Sequence, residues 1–256
     1  MRMVRSVWQR LVGSFLSLPE SCANCARFRV FFLLPRWFRM PAKVRVAKRS
    51  IALSFPRETG VESDFITCFL RNTYGLGRRL REVRTILDIG ANAGFFSLAA
   101  REYYPEAVIH AYEPNPRILP FLSANTAGLG IRVYPEAVSD QSGFAAMIDT
   151  GPSNAARTRT AEDASSGIRQ ISLATAMERM GGAVDLLKLD CEGAEWEMLR
   201  LDGCWDSVRN IRMEYHLFHG ETVEQMREAL RSKGFRVIHT GSYNEVGGTI
   251  WASRAE

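Results

Sequence analysis

The sequence predicts an α/β fold: a doubly wound, mostly parallel seven-stranded sheet with helices on both faces and a C-terminal antiparallel hairpin. Three observations lead there. From Thr85 onward, short apolar runs alternate with amphipathic stretches at helical spacing. The first run, Thr85-Ile86-Leu87, passes through Asp88-Ile89 into Gly90-Ala91-Asn92-Ala93-Gly94, and a helical pattern begins at Phe95. The last two runs, 235–240 and 248–252, are joined only by Gly241 to Gly247, which is short for a parallel crossover.

The N-terminal part reads differently. Of 33 basic and 28 acidic residues, eleven Lys/Arg and a single acid, Glu20, fall in residues 1–50, leaving 22 basic and 27 acidic residues for the remainder. The net charge of +5 therefore belongs to a basic N-terminal appendage, residues 1–50, ahead of a domain spanning 51–256. Val4, Val7, Trp8, Leu11, Val12, Phe15 and Leu16 recur at helical spacing, with Arg2, Arg5, Gln9 and Arg10 off that face. Such a helix can pack on the protein's own core, pair with a second copy, lie on an anionic membrane surface or contact nucleic acid.

Arg2 and Arg5 before Leu11–Leu18 give a weak signal-peptide pattern, broken by Gly13, Ser14 and Ser17. The longest apolar run, Val30 to Leu34, is far below the ~20 residues that span a bilayer. The five cysteines are odd in number and widely spaced, so no disulfide framework is expected, and Cys22-x-x-Cys25 lacks a partner pair for zinc.

Residues 51–82 read as a helical lead-in, with Phe65, Ile66, Phe69 and Leu70 on one face. Strands are expected at 85–89, 107–112, 131–137, 184–189, 208–215, 235–240 and 248–252. Helices are expected at 95–104, 116–127, 194–200 and 222–233, the last stopped by Lys233-Gly234. Between 139 and 183 the pattern is irregular. Phe144–Ile148 can form an extra strand, and Gly151–Gly167, with Arg157 and Arg159, reads as a loop over the site, either a substrate lid or a disordered insertion.

The turn after the first strand carries the first chemical signal. Its Gly-x-x-x-Gly differs from the Gly-x-Gly-x-x-Gly of dinucleotide binders, and no Gly-Lys-Ser/Thr follows. Glycines permit the sharp turn and a close ligand approach. Asp88 beside them disfavours phosphate and suits a cationic ligand; a sulfonium such as S-adenosylmethionine is one. Glu113 ends the second strand 23 residues after Gly90, near the spacing at which an acid accepts ribose hydroxyls. Pro116, after Asn115, suits the start of the next helix.

A second cluster lies at Lys188-Leu189-Asp190-Cys191-Glu192-Gly193-Ala194-Glu195. Its strand and strand 85–89 would flank the point where strand order reverses, where such sheets bind ligands. Asp190 or Glu192 can orient or deprotonate a hydroxyl, while Glu192 and Glu195 can equally be ordinary first-turn acids of the next helix. Lys188 can neutralise the cluster or hold an acidic substrate. Alternation puts Glu214 and His216 on one side of their strand, near Asp190. His216 can act as base, and Asp190, Glu214 and His216 can equally hold a divalent metal, though no dedicated metal site is assigned.

These pieces together resemble the FkbM family of S-adenosylmethionine-dependent methyltransferases: Asp88–Gly94, Glu113-Pro114-Asn115-Pro116, Ala137-Val138-Ser139-Asp140, Leu187–Glu195 and the Glu214 strand, in the family's order across roughly residues 60–253. The resemblance implies a Rossmann-like class I methyltransferase fold and methylation of a hydroxyl oxygen, often on a sugar, glycolipid or secondary metabolite. It implies that Asp88, Gly90, Ala91, Asn92 and Gly94 line the methionine end of the cosubstrate. Glu113 and Asn115 would serve the ribose, Glu136 to Val138 (with Ala137) the adenine, and Asp190 and Glu192 the reacting centre. Where the family often shows Leu-Asp, this chain has Ile171-Ser172-Leu173-Ala174-Thr175.

An enzyme using a cytosolic cosubstrate is expected in the cytoplasm, with residues 1–50 able to touch the inner membrane surface. Nucleic-acid methylation is a second reading, weakened by the absence of an Asn/Asp-Pro-Pro-Tyr/Phe motif and by the acidic balance of 85–256. A degenerate scaffold is a third, opposed by the intact glycine turn and Glu113.

Overall fold

The computed structural model describes residues 18–31, 38–80, 82–148, 156–162, 165 and 167–254. The amphipathic pattern at 4–16 lies outside them, as do most of the signal-like stretch and part of the 151–167 segment. Among the described residues no helix is long and apolar enough to cross a membrane.

A seven-stranded sheet organises the chain. In chain order its strands are β3 (Thr85–Ile89), β4 (Val108–Tyr112), β5 (Ile131–Tyr134), β10 (Leu186–Leu189), β11 (Asn210–His216), β12 (Phe235–Ser242) and β13 (Gly247–Arg254). Their spatial order is β12-β13-β11-β10-β3-β4-β5. Strands β11, β10, β3, β4 and β5 run parallel, and β13 runs antiparallel to both of its neighbours, β11 and β12. The chain builds outward from β3 to β5, then returns to the other side of β3 with β10. Order therefore reverses between β3 and β10, and a crevice opens at their carboxyl ends.

Period-two alternation divides the core into two layers. Ile86, Ile109 and Leu186 face one, with Phe65, Phe69, Phe95, Phe96 and Leu98. Leu87, Leu187, Leu189 and Met213 face the other, with Met198, Trp205, Leu230 and Ile250. Strands buried on both faces read as continuous apolar runs, which is why these were legible in the sequence.

Three expectations need correction. First, residue 50 is not where the structure divides. A hairpin of β1 (Lys43–Val46) and β2 (Arg49–Ala52) straddles it. Phe28, Val30, Val44 and Val46 are buried in the first core layer, and helix α1 (Leu18–Phe28) sets Phe28 edge-on to Phe69 at 4.7 Å. The hairpin is tied down by the Ala47 N–H, which donates to Glu102 at 2.6 Å, and the chain beyond it by the Ser54 N–H, which donates to Asn125 at 2.7 Å. The lead-in is helical only over α2 (Val61–Phe65), which continues as a π-helical turn, Ile66–Leu70.

Second, the expected strand 131–137 is two strands. Pro135 has no N–H for a ladder, and β6 (Glu136–Ser139) leaves for a separate four-stranded sheet of order β6-β9-β7-β8. Its other members are β7 (Gly143–Ile148), β8 (Arg157–Ala161) and β9 (Ile168–Ser172). Third, Arg157 and Arg159 therefore sit on a strand paired antiparallel to β7, rather than in a loop.

Because Phe28 is buried in the first core layer, Phe28→Ala should destabilise the fold by about 3–5 kcal/mol, as removal of a buried aromatic does. Urea unfolding checks this; a change below about 0.5 kcal/mol, the scale of surface substitutions, would restore the appendage reading.

Candidate active site

The carboxyl ends of β3, β4, β10 and β11 open into a cleft of about 1540 Å³. One side is lined by Gly90, Ala91, Asn92, Glu113, Ala137 and Val138, the other by Tyr74, Asp190, Glu192, Glu214 and Tyr243.

Lys188 links the two sides from below. Strand register places it opposite Asp88. Its side chain is 3% exposed, and its Nζ lies 3.3 Å from both Asp88 and Asp190. It also donates to the Gly90 carbonyl at 2.5 Å. Burial opposes its charge, but Asp190 and Asp88 outweigh that and hold it above the ordinary lysine value. Asp88 is fully buried, takes the Ser97 hydroxyl at 2.6 Å and does not line the cleft. The expected free negative charge beside the turn is thus already neutralised by Lys188.

Gly90 has φ +76°, and a Cβ there would lie 1.7 Å from the Asp190 carbonyl oxygen. Gly94, at φ +84°, would press Leu122 at 2.8 Å and is absent from the cleft lining. Both glycines serve close approach of the protein's own elements, and Gly90 also lines the cleft, where a ligand can approach it.

Glu113 is where it was expected, at the end of β4. It is 7% exposed and accepts the N–H groups of Asn92 and Asn115, each at 2.8 Å. A carboxylate has about four acceptor sites, so capacity for hydroxyl donors remains. Burial raises its carboxyl to about 7 despite those hydrogen bonds. Asn115 itself turns away: its side-chain oxygen accepts the Arg117 N–H at 3.0 Å, and it does not line the cleft. Glu136 lines the cleft but is engaged by Arg179 and Arg169. Tyr112 and Tyr134 stack at 4.6 Å in the adjoining wall.

Opposite, the acids converge. Asp190 takes the Tyr74 hydroxyl at 2.9 Å. Glu192 adopts φ +55°, rare for a residue with a side chain. The turn is held by Glu195, fully buried, which accepts the N–H groups of Cys191 and Gly193 at 2.8 Å each. His216 Nε2 lies 3.3 Å from Glu192 and 4.0 Å from Glu214, and its Nδ1 lies 3.6 Å from Glu195. Burial raises Glu192 to about 8, partly offset by His216, and raises Glu214 to about 9, reinforced by Asp190. For His216 burial favours the neutral ring, but Glu195, Glu192 and Asp190 overcome it and set its pKa at about 9. His216 is 8% exposed and outside the cleft lining, behind Glu192.

Sequence reasoning missed Tyr74, which lies 116 residues from Asp190 in a segment without strand or helix periodicity. It also missed Arg179, whose salt bridge to Glu136 depends on how β6 turns out of the main sheet.

The seven-stranded sheet, with its order reversal and C-terminal antiparallel strands, has the Rossmann-like class I methyltransferase fold. Residues 88–237 match the Methyltransferase FkbM domain, and the chain belongs to that family. It is 30% identical over 208 residues to the 31-O-demethyl-FK506 methyltransferase FkbM of Streptomyces tacrolimicus, covering 67% of this chain and 78% of the relative. It is 29% identical over 229 residues to the methyltransferase sdnD of Sordaria araneosa, covering 72% and 86%. Among solved structures, the magnesium protoporphyrin IX methyltransferase of Synechocystis PCC 6803 aligns with a TM-score of 0.47 at 12% identity, over 79% of this chain and 87% of that one.

The family implies S-adenosylmethionine as cosubstrate. The residues fit it: a buried carboxylate with spare acceptor sites stands beside the Gly90–Asn92 backbone and an apolar wall.

Hydroxyl donors need Glu113 ionised, so affinity for S-adenosylhomocysteine should fall as pH drops through about 7. A single proton of that pKa predicts about 10-fold weaker binding at pH 6 than at pH 8. Calorimetry across this range checks it, with Glu113→Gln expected to bind weakly and without the pH dependence.

Proposed function

We propose that this protein transfers the methyl group of S-adenosylmethionine to a hydroxyl oxygen of a sugar, glycolipid or secondary metabolite. The observation that carries the reading is one cleft with two unlike ends: Glu113 beside the glycine turn, and a carboxylate wall of Asp190, Glu192 and Glu214. The name of the 31-O-demethyl-FK506 relative supports an oxygen acceptor on a secondary metabolite.

When bound, the cosubstrate supplies an already activated methyl group. The protein's task is then to hold the acceptor in line, exclude water and take a proton. Gly90, Ala91 and Asn92 would hold the methionine end, and Glu113 the ribose. Ala137 and Val138 would flank the base.

Asp190, fixed by Tyr74 and Lys188, would orient the acceptor hydroxyl. Glu192 is committed to His216 at 3.3 Å. Glu214 lines the cleft and is the least engaged of the three acids, so its ionised form, which gains population toward about pH 9, would take the proton. His216, screened from the cleft, would balance the acids' charge rather than act as base. Asp190, joined by Glu192 and Glu214 once these are ionised, disfavours acceptors carrying phosphate or carboxylate there, which also argues against nucleic acid.

The test is Asp190→Asn and Glu214→Gln, assayed by methyl transfer over a panel of hydroxylated acceptors. Turnover should fall by about 10²–10⁴-fold in each, while S-adenosylhomocysteine still binds as in the parent chain. Full turnover in Glu214→Gln would remove it as the proton acceptor. Failure of the parent chain to bind S-adenosylhomocysteine would return the scaffold reading.

A further inference from the structure

The acceptor end of the cleft contains one side chain whose hydrogen bonding does not close. His216 is 8% exposed, and its Nδ1 has no hydrogen-bond partner among the described residues. Nδ1 faces Glu195 at 3.6 Å, while Nε2 faces Glu192 at 3.3 Å and Glu214 at 4.0 Å. A neutral imidazole has one donor and one acceptor nitrogen. Here both nitrogens look at carboxylate oxygens, which only accept. With Nδ1–H toward Glu195, the Nε2 lone pair would meet an acid, so something positive must lie between Nε2 and Glu192: a proton on the ring, or a bound metal ion in that proton's place.

Asp190 completes the geometry. One ligand atom each from Asp190, Glu192 and His216 lies within 4.8 Å of the others. Tyr74 and Lys188 both engage Oδ2 of Asp190, which fixes the carboxylate and leaves Oδ1 for another partner. Glu192 is held by the turn that Glu195 clamps at Cys191 and Gly193. Glu195 behind the imidazole matches the carboxylate that commonly orients a metal-bound histidine.

We propose that Asp190, Glu192 and His216 bind a divalent cation at the acceptor end of the cleft. Two carboxylates and an imidazole suit Mn²⁺, Fe²⁺ or Zn²⁺ better than Ca²⁺ or Mg²⁺, which prefer all-oxygen sets. Asp190 and Glu192 line the cleft, so the coordination positions not filled by protein open toward the acceptor. This deepens the methyl-transfer reading and rests on its assignment of the acceptor end. A cation there would orient the acceptor hydroxyl and ease its loss of a proton to Glu214. The acceptor oxygen then forms its bond to the methyl carbon as the carbon–sulfur bond breaks, and S-adenosylhomocysteine leaves.

The experiment uses the full chain stripped with a chelator. Mn²⁺ is titrated by calorimetry and electron paramagnetic resonance, and S-adenosylhomocysteine is titrated separately into the same metal-free protein. We expect one Mn²⁺ per chain with micromolar affinity and nitrogen hyperfine coupling from an imidazole in the pulsed spectrum. Glu192→Gln and His216→Gln should each weaken Mn²⁺ by at least about 10-fold, the smallest loss typical for groups supporting a metal site. The coupling is measured on the unaltered chain, so it stands even if a variant misfolds. No saturable Mn²⁺ site, or Mn²⁺ bound without nitrogen coupling, overturns the proposal. S-adenosylhomocysteine binding without Mn²⁺ binding removes the cation alone, whereas loss of both removes the methyl-transfer reading as well.

Discussion

The site depends on one buried ion pair network at the strand-order reversal. Lys188 on β10 lies between Asp88 on β3 and Asp190 at its own strand's end, 3.3 Å from each. It joins the two strands that the chain lays down about a hundred residues apart. A buried charge stripped of its partner costs about 3–5 kcal/mol, so the charge of Asp88, which is fully buried, depends on the lysine. The same crossing brings the Asp190 carbonyl against Gly90, where no Cβ fits. The glycine turn and the acidic turn are therefore two halves of one junction.

From that junction the cleft takes its polarity. On the side of the glycine turn, Lys188 consumes the charge of Asp88, and Arg179 with Arg169 consumes that of Glu136, so Glu113 is left as the acid available to a ligand. On the opposite side, Asp190, Glu192, Glu195 and Glu214 surround His216. The asymmetry is electrostatic more than steric. By the proposed assignment, recognition of a nucleoside and handling of a proton fall to opposite sides of the cleft.

The rigid turns that present these acids use the chain's own groups as props. Glu195 closes the Asp190–Gly193 turn through two backbone N–H bonds, and its full burial separates it from an ordinary first-turn acid. Glu113 does the same for the Gly90–Asn92 loop through the Asn92 N–H. Both carboxylates thus shape the backbone around the cleft, and Glu113 also faces it.

Strand identity, strand direction and the acids at strand ends were legible in the sequence because they are local. Apolar runs buried on both faces, a glycine turn and an acid at a fixed spacing are written in consecutive residues, and so Asp190, Glu192, Glu214 and Glu113 could be named in advance. What those residues touch was decided by tertiary structure alone. Pro135 sends the chain into a second sheet, and Tyr74 reaches Asp190 across 116 positions. Lys188 neutralises Asp88 only because the crossover makes their strands neighbours. The hairpin across residue 50 joins the core because Phe28, Val44 and Val46 find apolar partners there, a fact that basic composition hides. Periodicity reports which face of an element is buried; it holds no record of which distant residue covers it.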